Sequence, residues 1–442
     1  MNKESVLNIG FDDTDSPTGM CTTFLAYKIV DLLQKQKTEF LDFPKLIRFN
    51  PNIPWKTRGN GAVSLKIKTR NPSKIKNQIK NLVSKYSDTK NGANPGLVFF
   101  ESNSIPSEFT KFSNLALWQL INRNNAKKFA KKNKLDFFYE GNGQGLVGAI
   151  SAIGYDFHDH TLELLSYRKK IKFGTKRKIS ADSVKTMQEK TFPYTFNSFD
   201  TKKGRVLITP HGPDPVFYGV RGENVDSLVN ATKILKSNEK LDGYMIFKSN
   251  QGTGDHLKNE LNFETMKPYA SGTLSGIVSN IPKIVKGGHV FFTIISKNHE
   301  FWCAVYKETG ISTIASNLII GDEISIGGGV RKASKNFPRI INLEFIEIIH
   351  LKKNLSKSNP TCKKCSKKMK SKGQNQGFQC IRCGKKNSNK ITVEIPRKVK
   401  KQLYIPKISA HRHLTRPLQR TGIINKTSKF DESLSWFCVY RN

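Results

Sequence analysis

Long apolar runs are missing from this 442-residue chain. Nowhere do about 18 uninterrupted apolar residues follow one another, so no membrane-spanning helix is expected. The opening "MNKESVLNIGFDD" also lacks the apolar core of a secretory signal, with acid and amide where that core would stand. Cysteine is scarce: four of the seven cluster between residues 362 and 383 and three stand alone. That pattern argues against a disulfide framework and for a reducing compartment with a metal site. Acid is in short supply as well, 35 Asp and Glu against 74 Lys and Arg, and the formal charge of +39 is spread along the chain instead of held in one tail. A field of that sign favours polyanions, nucleic acid first among them. No internal repeat is found, and the length suggests about three domains. The expectation is a soluble, cytoplasmic, multi-domain protein with a nucleic-acid partner and no membrane.

Residues 5 to 11 read as a buried strand, and "MCTTFLAYKIVDLLQKQ" shows helical spacing of Phe24, Leu25, Ile29, Leu32 and Leu33. The stretch between them, "IGFDDTDSPTG", is therefore a strand-to-helix loop. A second loop, "RFNPNIPWKTRGNGA", leads into the alternating strand "VSLKIKT". A helix rich in Leu and Trp over residues 113 to 132 precedes the glycine cluster "EGNGQGLVGAISAIG", and mixed strand and helix signals follow to residue 260. From 270 to 350 short strands alternate with turns ("HVFFTII", "FWCAVYK", "DEISIGGGV", "RIINLEFIEII"), the rhythm of a small β-barrel such as a five-stranded OB-fold. Beyond residue 354, Lys, Cys and Gly dominate, and little core can form without help.

"CKKC" at 362–365 and "CIRC" at 380–383 are two knuckles that can place four thiolates around one zinc. Cys362, Cys365, Cys380 and Cys383 would fill all four positions, which makes that zinc structural; neighbouring lysines would lower the thiol pKa values. In the opening loop, Asp12, Asp13 and Asp15 repel one another unless a cation is present, and magnesium is the usual cation where phosphate is the substrate. The competing reading is an Asx-turn and helix cap, which needs fewer acids. "KTRGNGA" sets Lys56 and Arg58 beside Gly59, Asn60 and Gly61, suiting phosphate without a Walker A ending; a basic turn is the alternative. Close packing of a helix on a sheet explains "GNGQGLVGA" as well as a dinucleotide fingerprint does. His158, His160, His411 and His413 lack a third ligand nearby and read as polar or RNA-contacting residues.

Taken together, "IGFDDTDSPTGMCTT", "RFNPNIPWKTRGNGA", "NPGLVFF", "GNGQGLVGAISAIG", "HGPDPVFYGVRGE", "NQGTGDHL", "GGHVFF", "GGGVRK" and the two knuckles resemble one family over nearly the whole chain. It is the archaeal tRNA 2-agmatinylcytidine synthetases (tRNA agmatidine synthetases, the TiaS family). The resemblance implies ATP with magnesium, one structural zinc, agmatine, and an isoleucine tRNA of anticodon CAU whose first cytidine is phosphorylated and then conjugated. It also implies a multi-domain α+β architecture. Residues 1–135 would form an ATP-dependent kinase-like catalytic domain, 136–265 a ferredoxin-like domain, 266–352 the OB-fold, and 353–442 a zinc ribbon with a basic C-terminal tail. Thr22, the first threonine of "MCTT", would be phosphorylated by the protein's own domain, with Thr23 the alternative. A non-catalytic ribbon and barrel RNA binder is the reading from another class. The three acids oppose it, since a pure RNA binder gains nothing from carboxylates facing its polyanion.

Overall fold

Asn8 and Gly10 alternate with the buried Leu7, Ile9 and Phe11 in the first strand, Ser5–Asp12, because both faces of that strand are covered. Leu7, Ile9 and Phe11 pack into a core with Leu25, Ile29 and Leu33 of helix Thr22–Lys35 and Ile75, Ile79 and Val83 of helix Pro72–Tyr86. On the other face Gly10 lies against Ala149 and Ile153 of helix Gly145–Gly154, so closely that a Cβ on Gly10 would stand 2.9 Å from the Ala149 carbonyl carbon. The computed structural model describes residues 4–335, 337–426 and 430–440. It divides into two compact units, one of residues 1–273, 327–339 and 405–442, the other of residues 274–326 and 340–404.

One mixed sheet, of eleven strands among the described residues, organises the first unit. Its order runs Asp136–Tyr139, Gly96–Glu101, Ser5–Asp12, Gly61–Thr69, Lys45–Arg48, Leu241–Ser249, Thr161–Arg168, Val216–Gly222 and Thr195–Phe196. The second half of that path is a ferredoxin-like βαββαβ unit, all antiparallel, with spatial order four-one-three-two. Helices Ala181–Thr191 and Val225–Ile234 connect its strands. Its last strand pairs in parallel with Lys45–Arg48, Lys248 opposite Lys45 and Ser249 opposite Leu46, so the two halves share one sheet. Helix Gly145–Gly154 belongs by packing to the first half: Gly145 meets Gly96 and Gly148 meets Asp12. Its glycines serve close approach, the packing reading of "GNGQGLVGA". The helix expected over 113–132 is two, Ser107–Trp118 and Arg123–Lys132, because the Asn122 side chain accepts from Asn124 N and starts the second one.

The second unit is built on a closed barrel ordered Ser271–Val278, Val290–Ser296, His299–Val305, Ile340–His350, Glu323–Arg331 and back to the first strand. The third and last strands in sequence pair in parallel, Trp302 opposite Ile340, as an OB-fold requires. Val290, Phe292 and Ile294 alternate inward with Ile324, Ile326, Ile341 and Leu343. The ribbon follows on a two-stranded stem, Leu355–Ser358 against Ile391–Glu394, with Met369 and Phe378 beside the cysteines as its small core. Residues 405–426 and 430–440, grouped in the sequence with the ribbon as a basic tail, lie in the first unit instead. There Phe437–Val439 adds a strand beside Leu241–Ser249.

Candidate active site

The acidic loop begins where strand Ser5–Asp12 loses its partners. Asp13 takes a left-handed backbone conformation (φ 57°), tolerable for Asp, and turns the chain so that Asp12, Asp13 and Asp15 reach one cavity. Burial raises the pKa of all three, and neighbouring carboxylates add to it; Asp13 is pushed up to about 7 by burial and then by Asp15. Arg58 partly offsets the rise at Asp15. Asp88 holds the far side of the loop through Ser16 and Thr18, the latter at 3.0 Å. Thr22 opens helix Thr22–Lys35 from the cavity wall, with the Thr14 hydroxyl donating to its own at 3.0 Å.

The glycine loop closes over this acid cluster. Arg58 donates to the carbonyls of Ser16 (2.9 Å) and Met20 (3.0 Å), and its guanidinium lies 3.3 Å from Asp214 and 3.8 Å from Asp15. The residue expected to hold phosphate thus laces the two loops together. Asn60, also left-handed (φ 47°), donates to Asn50 O at 2.7 Å. Gly59 and Gly61 lie in close approach to side chains: a Cβ would stand 2.6 Å from His413 at Gly59 and 2.8 Å from the Arg48 guanidinium at Gly61. Lys56 is exposed on the same wall, its pKa lowered by burial and by Arg412.

Asp12, Asp13, Asp15, Thr22, Thr23, Lys56, Arg58, Gly59, Asn60 and Gly61 all line one cavity of about 850 Å³ within the first unit. Sequence reasoning missed the other wall. Glu163 sits between Arg48 (3.6 Å) and Arg221 (3.5 Å), and Asp214 is nearly fully buried with one oxygen lacking a hydrogen-bond partner. Arg177 fixes the turn around Asp214 through the carbonyls of Pro210, Gly212 and Val216. Leu165, Phe196, Ile208 and Val216 add apolar side chains to the same lining. "HGPDPVFYGVRGE" was the available signal for Asp214 and Arg221.

Two metal positions pass different tests. Among the described residues only Cys362, Cys365, Cys380 and Cys383 bring three or more ligand atoms within 4.8 Å of one another. Sulfurs about 2.3 Å from one zinc would lie roughly 3.8 Å apart, so the set fits. The amides of Cys365 and Lys364, ahead of any lysine charge, lower the Cys362 pKa. The aspartates do not converge in that way. Magnesium commonly takes one or two carboxylates and completes its shell with phosphate oxygens and water, and this donor set suits that mode.

A strand-end acid cluster and a basic glycine loop on one cavity, in a chain that also carries an OB-type barrel and a four-cysteine ribbon, define an enzyme that acts on nucleic acid with a phosphorylated co-substrate. Residues 8–72 match the TiaS TCKD domain, 143–256 the TiaS FLD domain, and 359–399 the TiaS C-terminal zinc ribbon domain. The isoleucine-tRNA 2-agmatinylcytidine synthetase TiaS of Cenarchaeum symbiosum is 46% identical over 434 residues, 98% of this chain and 97% of that protein. Its counterpart from Methanocaldococcus jannaschii is 37% identical over 427 residues, 94% and 99% of the two chains. The crystal structure of TiaS in complex with its isoleucine tRNA and ATP superposes with a TM-score of 0.84 at 33% identity, covering 94% of this chain and 97% of that one. The chain belongs to the isoleucine-tRNA 2-agmatinylcytidine synthetase (TiaS) family. Among the described residues no helix is long and apolar enough to cross a membrane.

Proposed function

We propose that this chain is the ATP-dependent ligase that joins agmatine to the first anticodon cytidine of the isoleucine tRNA with anticodon CAU, so that the tRNA decodes AUA. The observation that carries the reading is the shared cavity, where the acid cluster, the helix start at Thr22 and the glycine loop meet. The near full-length match to named synthetases, and to a TiaS crystallised with the isoleucine tRNA, AMPCPP and agmatine, supports the substrates.

Asp12, Asp13 and Asp15 would hold magnesium, which when bound supplies positive charge to the triphosphate. Lys56 and the backbone around Gly59, Asn60 and Gly61 hold phosphate oxygens, and Arg58 adds its charge from where it braces the acidic loop. Thr22 accepts a phosphoryl group at the end of a helix whose N-cap, Cys21, offers no side-chain cap. The cytidine carbonyl oxygen is a poor leaving group, so phosphorylation precedes attack. The agmatine amine then forms the C–N bond, the C–O bond breaks, phosphate departs and the amine loses a proton to a nearby carboxylate. Asp214 and Glu163, with the apolar side chains of the same lining, suit a tetramethylene chain bearing a guanidinium. The base must leave its stack to be reached. The kinase-like assignment of residues 1–135 belongs to this proposal, and the packing of helix Gly145–Gly154 favours extending that domain to its end. Reduced cysteine knuckles and a tRNA substrate favour the cytoplasm.

Mass analysis of anticodon nucleosides tests the reading. Incubation with ATP and agmatine should convert the first cytidine of this tRNA to agmatidine. Phosphorylated cytidine as the final product, indifferent to agmatine, would make the protein a kinase. An unchanged nucleoside with uncleaved ATP would leave an RNA binder.

A further inference from the structure

The segment beyond the ribbon is anchored in the first unit by buried ion pairs. Arg420, fully buried, donates to both oxygens of Asp159 (3.0 and 3.2 Å), to Glu223 (2.6 Å) and to the carbonyl of Gly252 (2.9 Å). Arg416 adds a 2.6 Å pair to Asp159. Two backbone bonds then set the register upstream, Gly252 N to His413 O at 2.9 Å and Gly254 N to Leu414 O at 2.8 Å. These contacts deliver the His413 ring to the cavity wall. Its Nδ1 lies 2.9 Å from the Arg221 guanidinium and 2.8 Å from Gln251 Oε1, and Gln251 in turn donates to Glu163. The opposite edge of the ring, Cδ2 and Nε2, faces Gly59 so closely that a Cβ there would stand 2.6 Å from both atoms.

We propose that His413 is a positioning residue of the synthetase reaction: it fixes the Arg221 guanidinium at the cavity wall and backs the glycine loop at Gly59, so that the segment downstream of the ribbon completes the site. This rests on the reading above. Burial and the flanking guanidiniums of Arg48 and Arg221 favour the neutral ring, whose Nδ1 accepts from Arg221 in the Nε2–H tautomer and donates to Gln251 Oε1 in the Nδ1–H tautomer. A basic tail serving only tRNA phosphates would govern affinity and salt dependence. A wall residue that aims a guanidinium governs turnover.

The test uses the full chain with ATP, agmatine and the isoleucine tRNA, measuring kcat, the KM for tRNA and the thermal midpoint. His413→Leu should lower kcat about 100-fold with the KM for tRNA little changed, since a misplaced group near 1 Å off costs that order. His413→Asn, whose Oδ1 stands near the Nδ1 position, should regain at least about tenfold of that loss. If Leu prevents folding, His413→Gln, which places its amide toward the Nε2 position, takes its place with the same expectation. Near-normal kcat in His413→Leu overturns the proposal. So does a change confined to KM, which would make the segment an RNA contact, and so does an Asn variant as impaired as Leu, which would leave packing alone. A wild-type chain that forms no agmatidine removes the synthetase reading and this proposal together, whereas the variant outcomes bear on the proposal alone.

Discussion

Gly148 offers a sharp test of the acid cluster. It lies within helix Gly145–Gly154, where alanine in place of glycine ordinarily adds about 1 kcal/mol of helix stability. On propensity alone, Gly148→Ala should be neutral or stabilising. The site says otherwise, because a Cβ at Gly148 would stand 2.6 Å from Cγ and 2.8 Å from Cβ of Asp12. That is about 1 Å inside ordinary carbon–carbon contact. The helix cannot retreat readily, since Gly145 already touches the carbonyl of Asp12 and Gly154 the backbone of Phe109. The aspartate must move, and a displacement near 1 Å in a reacting constellation costs about 100-fold in rate. ATP cleavage by Gly148→Ala should therefore fall by about two orders of magnitude while tRNA affinity and the thermal midpoint hold. Steady-state ATP consumption, filter binding and thermal melts read the three quantities separately. A variant that keeps more than half of wild-type ATP cleavage would refute the placement of Asp12 in the chemistry.

Four further outcomes follow from the same geometry. Asp12→Asn, Asp13→Asn or Asp15→Asn should each abolish ATP cleavage with tRNA binding nearly intact, measured by nucleotide chromatography and filter binding. In the ligand-free protein, Asp13 has a raised pKa of about 7, so its stabilising contribution is complete below the ordinary carboxylate range and is lost as pH climbs through 7. The thermal midpoint of the wild type should accordingly drop relative to Asp13→Asn between pH 5 and pH 8, and parallel curves would count against this. Arg58→Ala unties two loops and strips buried Asp214 of a cation, so kcat should fall far more than tRNA affinity; lost affinity with unchanged kcat would make the loop a backbone contact. Cys362→Ser should release zinc, unfold the ribbon and weaken tRNA binding while sparing ATP cleavage, as metal analysis and activity assays would report.

The legible parts of the site were those whose chemistry is consecutive in sequence. Three acids in four positions, a Lys-x-Arg beside two glycines, and two cysteine pairs declare themselves because neighbours along the chain must be neighbours in space. Glu163, Asp214, Arg221 and His413 reach the cavity only through strand pairings and side-chain contacts that span dozens to hundreds of residues. No local pattern marks Glu163 as the partner of Arg48. The C-terminal segment misled for a related reason. Its residues read as a basic tail after the ribbon, yet Arg416 and Arg420 are matched to Asp159 and Glu223, acids far earlier in the chain that only the fold brings alongside. The glycine cluster at 141–154 was ambiguous in sequence and resolves once Asp12, Gly96 and Phe109 are seen against it.

The crowding of three carboxylates in a chain of charge +39 is then a matter of scale. The field of the whole molecule acts over roughly a Debye length, about 8 Å at physiological salt, and draws a tRNA toward the protein regardless of sequence. Inside the cavity, burial and mutual repulsion raise the pKa values of Asp12, Asp13 and Asp15, so this acidic spot ionises fully only where a cation joins it. The same spot favours a divalent cation, and with it a triphosphate. On the proposed reading, a chain of high positive charge with an acidic pocket would sort two polyanions by size and by metal content. Nucleic acid would be held outside by many weak contacts, and the nucleotide taken within through a cation. What would cross from one region to the other is a single base, which carries no charge and needs only room, and the cavity of about 850 Å³ lined by the glycine loop offers it.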